Sequence, residues 1–254
     1  RDPFSPLYDP HAHREYKEIV ETWYERLDLV LADVMAALGS DDTIIVLSDH
    51  GFTGFRRAVH LNSWLQNAGF LTVKAGAEKA EDLLKNVDWQ KTKAYSLGFG
   101  GIYLNQQGRE GSGIVASGQE AESLKKEIQE KLLAWTDGDK GEPVVSNVYS
   151  KEEMVWGAYA NEAPDLFVGF NKGFRASWQT ALGAAPGPVI EDNLKKWSGD
   201  HLVDPSLVPG VLFMNKQIVT QDPSIMDVAP TILSIIGYSV DELRSMDLDG
   251  KNLL

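Results

Sequence analysis

The stretch that most limits the possible folds is Ile44-Ile45-Val46-Leu47, an unbroken apolar run closed by Ser48-Asp49-His50-Gly51. Alternating polar and apolar residues would mark a strand with one wet face. Four apolar residues in succession mark a strand buried on both faces, as in sheets sandwiched between helices. A carboxylate and an imidazole at the end of such a strand stand where open α/β sheets bind ligands.

The flanking segments fit that setting. From about 13 to 38, Ile19, Val20, Trp23, Leu27, Val30, Leu31, Val34 and Leu38 recur at helical spacing, and Gly39 follows. Residues 61–70 read as a short helix ending at Gly69, residues 92–105 as two strands around a glycine-rich turn, and residues 118–135 as an amphipathic helix. "EPVVSNVYS" reads as a strand with a short helix after it, and "DLFVGF" (165–170) and "GVLFMN" (210–215) as buried strands. Ser224 and Asp227 have the spacing of a capping box, opening a helix that Gly237 ends. The alternation predicts an α/β fold with a central, mostly parallel sheet flanked by helices on both faces, and residues 72–160 are expected to form a small inserted antiparallel lobe.

Composition narrows the chemistry. The net charge of −13 argues against a nucleic-acid surface, which needs clustered Lys and Arg. No apolar run approaches the roughly 18 residues of a membrane span. Cysteine is absent, so a metal would be held by His and carboxylates. The opening "RDPFSPLYDPHAHREY" has no initiator Met and no leader-like apolar core, and is expected to be the interior of a longer chain.

Asp49 and His50 suit a divalent cation, and they equally suit a plain turn capped by the aspartate. Gly199-Asp200-His201 precedes the strand at 210–215. His201 is a candidate ligand, with Asp200 either a second ligand or the carboxylate that orients it. Asp9 and His13 have the spacing to share one ion. Arg175, three residues before Trp178, could meet an anionic substrate or stack on that ring at the surface. His60 and Asp165 read as structural.

The order "TIIVLSDHGF", "APDLFVGF", "WSGDHLVDPSLVPGVLF", "SIMDVAPTILSIIG" resembles the C-terminal portion of the alkaline phosphatase superfamily, in its type I phosphodiesterase/nucleotide pyrophosphatase branch. The resemblance implies that residues 1–254 are the C-terminal part of one catalytic domain that hydrolyses a phosphodiester or nucleotide pyrophosphate bond in a phosphorylated small molecule. It implies two divalent ions, zinc or alternatively manganese, with Asp49 and His50 on the one that activates a Thr or Ser nucleophile and His201 on the other. That nucleophile and the first Asp ligand would lie on an N-terminal half outside this chain, since no matching segment is present. The remaining ligand pair would precede residue 1 or, as the lesser option, be Asp9 and His13, although Arg14-Glu15-Tyr16 depart from the family's pattern there. A second expectation, from a different class, is an incomplete fragment acting as a binding or structural module.

Overall fold

The structure, a computed structural model, describes residues 2–12, 14–138 and 141–254. His13, one of the candidate ligands, lies outside them. In chain order the helices are α1 (Ile19–Ala37), α2 (Leu61–Asn67), α3 (Gln119–Leu133), α4 (Lys151–Met154), α5 (Trp178–Ala181), α6 (Val228–Ile235) and α7 (Val240–Ser245). The strands are β1 (Ile45–Leu47), β2 (Thr53–Val59), β3 (Ala94–Leu97), β4 (Gly101–Leu104), β5 (Thr136–Asp137), β6 (Glu142–Pro143), β7 (Val145–Ser150), β8 (Leu166–Phe170), β9 (Gly173–Ala176), β10 (Ile190–Asp192), β11 (Gly199–Asp200) and β12 (Leu212–Met214). They divide into two compact units: residues 2–8 with 52–208, and residues 9–51 with 209–254.

The larger unit holds the core. β3, β4, β8 and β7 form an antiparallel sheet in that order of adjacency to β7. The β3–β4 register of Ala94 with Leu104 follows from the tight turn between them, where Gly98 and Gly100 adopt left-handed φ of 77° and 117° that a side chain would resist. α3 turns Leu124, Ile128 and Leu132 inward at four-residue spacing and packs on β7. Each such buried side chain contributes about 1.5–3 kcal/mol. α2 buries Leu61 and Leu65, and Asn62 extends the edge of β3 by bonding both the N–H and the carbonyl of Ser96. In the second sheet β2 pairs antiparallel with β10 and β11 and parallel with β9. β2 turns Phe55, Arg57 and Val59 inward, and Arg57 clips β10 to β5 through Asp192 at 2.7 Å and Asp137 at 2.9 Å.

In the smaller unit β1 pairs antiparallel with β12, Val46 opposite Phe213. Asn215 ties the strand entry, accepting from the Ile44 N–H and donating to the Asp42 carbonyl. The capping box before α6 is formed: Ser224 Oγ accepts from Met226 and Asp227 accepts from the Ser224 N–H at 2.9 Å.

The mixed α/β class is as expected, and the sheet geometry differs from expectation. Among the described residues, of the eight pairings between named strands β2–β9 alone is parallel. Short connections join β3 to β4, and a link that short can only make antiparallel neighbours, whereas parallel pairs need a long crossover. β1 also differs from a doubly buried strand: Val46 and Leu47 are exposed, as is Phe213 at 64%.

Candidate functional site

At the end of β1 the chain is pulled tight against the start of β12. Ser48 donates its N–H to the Val211 carbonyl at 3.0 Å, and its hydroxyl accepts from the Val211 N–H at 3.1 Å. Gly210 passes so close that a Cβ there would collide with the Ser48 carbonyl and lie 3.1 Å from that of Asp49. This approach fixes the backbone from which Asp49 and His50 project.

Asp49 uses one oxygen within its own turn, where Oδ1 accepts from the His50 N–H at 3.1 Å. The other, Oδ2, lies 3.3 Å from His50 Nε2. On the opposite side of the ring, His50 Nδ1 is 2.9 Å from the Gly51 carbonyl. A carbonyl only accepts, so Nδ1 is assigned the proton and Nε2 the lone pair in the neutral ring. That pair then faces a carboxylate oxygen, an arrangement that is favourable with a proton or a cation between them. A histidine anchored by backbone at one nitrogen, with a carboxylate beside the other, supplies two donor types that a divalent ion takes, so the chemistry of this pair is compatible with such an ion.

In the larger unit, β11 ends at Asp200, which is buried. Asp200 Oδ1 accepts from the backbone N–H of His201 at 2.8 Å and sits 3.5 Å from His201 Nδ1. Its Oδ2 holds Arg175 Nη1 at 2.7 Å. With both oxygens engaged, Asp200 orients the His201 loop. The His201 ring is part-exposed and lies 5.8 Å from the ring of Phe52.

Arg175 is a floor residue rather than a surface one, at 2% exposure. The stacking on Trp178 is present, with the guanidinium 5.0 Å from that ring and from Phe55. Burial pulls the Arg175 pKa below its ordinary value, and Asp200 opposes that pull. Arg175 lines a cleft of about 260 Å³ together with Trp178 and Trp197.

The other candidates fall elsewhere. Asp9 is exposed and turns back to accept from the His11 N–H at 2.8 Å. His60 is fully buried at the entry to α2, 3.4 Å from Glu191, and burial holds its pKa below the ordinary value against that carboxylate. Asp165 is a hub of the core: it accepts from Arg109 at 2.6 and 2.9 Å and from the Leu104 N–H at 2.7 Å, with Lys151 at 3.4 Å. The structure thus joins Asp49 to His50 in one unit, and Arg175 to Asp200 and the His201 loop in the other. Among the described residues no group of three or more His, Asp or Glu surrounds one point. The Arg175–Asp200 pair carries no local sequence signal, since its members lie on separate strands.

A family model described as type I phosphodiesterase / nucleotide pyrophosphatase matches residues 7–185, a span that includes Asp49, His50 and Arg175 and ends before Asp200 and His201. No curated protein matches the chain.

Proposed function

The chain belongs to the type I phosphodiesterase/nucleotide pyrophosphatase family, and we propose that it is the C-terminal part of a metal-dependent phosphoric-ester hydrolase domain comprising both units. The observation that carries the metal assignment is the Asp49–His50 pair, with Nδ1 anchored on Gly51 and Nε2 beside the carboxylate. In this reading Asp49 and His50 hold one divalent ion and His201 contributes to a second, zinc being preferred and manganese the alternative. Two bound ions would supply Lewis-acid charge for the attacking and leaving oxygens of a phosphoryl displacement. Asp200 keeps the His201 loop in place. Arg175, buried and paired with Asp200, belongs to the lining beside the organic part of a phosphorylated small molecule. The Thr or Ser nucleophile is assigned to a segment outside this chain.

Uncovered apolar surface supports that assignment. α1 buries none of its residues, and Leu27 stands 58% exposed; β1 and β12 are likewise unshielded. A surface of that composition is costly in water. We read it as the seat of the N-terminal half of the same domain, with which β1 becomes an inner strand of a mostly parallel sheet. No helix among the described residues is long and apolar enough to cross a membrane.

The test is metal content by mass spectrometry after purification, for the unaltered chain, His50→Ala and His201→Ala. Both substitutions are expected to lower bound metal. Full retention in both would overturn the metal assignment and favour a binding or structural module. Chelator-sensitive turnover of a p-nitrophenyl phosphodiester by the isolated chain would overturn the placement of the nucleophile.

A further inference from the structure

The cleft beside Arg175 is walled by two indoles. Trp178 and Trp197 line it while keeping 52% and 60% of their surface exposed, so both leave apolar ring surface open to solvent, although the Arg175 guanidinium lies over the Trp178 ring at 5.0 Å. Phe55 and Leu194 add apolar lining. The polar lining is mixed in sign. Glu191 and Asp192 bring carboxylates, which lie 3.4 Å from His60 and 2.7 Å from Arg57, and Lys195 and Gln179 bring donors. At the base, Arg175 gives Nη1 to Asp200 and its Nε–H to the Ala176 carbonyl at 3.0 Å. Its Nη2 is buried and has no hydrogen-bond partner among the described residues. That atom is enclosed among protein atoms, the guanidinium lying 5.0 Å from the rings of Phe55 and Trp178.

Charge decides the class of ligand. Asp192 and Arg175 are already paired with Arg57 and Asp200, so an anion would meet Glu191 and a cation would meet Lys195. A neutral ring edged with hydroxyls is matched by both sets, because every hydroxyl donates and accepts. The C–H face of such a ring covers an indole. The volume of about 260 Å³ falls below the roughly 300–1,000 Å³ of drug-sized pockets, which suits a single ring. We propose that this cleft binds a neutral hexopyranosyl group, as the organic portion of the phosphoester substrate. That role rests on the hydrolase reading, while the binding does not.

The experiment is saturation-transfer difference NMR on the whole chain. The probes are methyl β-glucopyranoside, methyl β-galactopyranoside and methyl α-mannopyranoside, with tetramethylammonium and benzoate as charged comparators. At least one glycoside is expected to bind with a Kd on the order of millimolar, the scale for about a dozen heavy atoms. Saturation is expected on one C–H face of the ring, and Trp197→Ala is expected to weaken binding about fivefold. Trp197 is exposed, so its removal leaves the core intact. Trp178→Ala is expected to do the same where thermal unfolding shows the variant folded, and otherwise Trp197→Ala alone decides. Absence of transfer to every glycoside, undiminished transfer in the folded Trp variants, or stronger binding of a charged probe would overturn the proposal. Neither metal nor turnover enters the measurement, so its failure is distinct from failure of the hydrolase reading.

Discussion

Asp200→Asn removes one charge from a buried ion pair and little else. The side chains of Arg175 and Asp200 are 2% and 6% exposed and 2.7 Å apart, so the guanidinium left behind has no route to water. Removing one partner of such a pair costs about 3–5 kcal/mol, most of it the uncompensated charge. Asparagine keeps the shape but only one acceptor oxygen, so its NH2 opposes either the His201 N–H or Arg175 Nη1, and the cost is at least about 3 kcal/mol. At about 2–4 °C per kcal/mol for a unit of this size, the midpoint should fall by roughly 6–12 °C. The assay is scanning calorimetry on the single variant, on Arg175→Met and on the double variant. With no charge stranded, the double variant should be less destabilised than the sum of the singles by about 2 kcal/mol. A fall below about 2 °C for Asp200→Asn, or strict additivity, would refute the argument that Asp200 neutralises Arg175 and thereby holds the loop of His201.

The hub at Asp165 allows a parallel test: Arg109→Met leaves a buried carboxylate with Lys151 as its remaining cation, at 3.4 Å, and should cost about 3 kcal/mol in urea denaturation. Burial alone would raise the Asp165 pKa, but Arg109, the Leu104 N–H and Lys151 together hold it below the ordinary value. Its contribution is therefore complete above the unfolded carboxylate pKa of about 3.9 and is lost as pH falls through the lower folded value. Calorimetry in that acid range should show a steeper loss for the unaltered chain than for Asp165→Asn. Gly210→Ala places a methyl group against the Ser48 carbonyl; it should destabilise the β1–β12 pair by about 1–3 kcal/mol and lower bound metal, and unchanged metal content would separate that backbone contact from the site.

What was legible in the sequence was local. α3 and α6 announce themselves through apolar spacing and through a Ser224–Asp227 box that the structure forms, because those interactions link residues four or fewer positions apart. The glycine-rich turn between β3 and β4 was readable for the same reason. Asp49 and His50 were readable as a pair because they are adjacent, and the assigned tautomer of His50 depends on the next residue, Gly51. Strand pairing was not readable: an apolar run such as residues 44–47 satisfies its backbone equally well with either neighbour direction, and only the partner brought beside it, here β12, selects one. Arg175 shows the same division. Its aromatic neighbour is three residues away and visible in the sequence, whereas its burial, its neutralisation by Asp200 and its sharing of a cleft with Trp197 were decided when distant segments packed together and the unfavourable cost of a dehydrated charge demanded a carboxylate beside it.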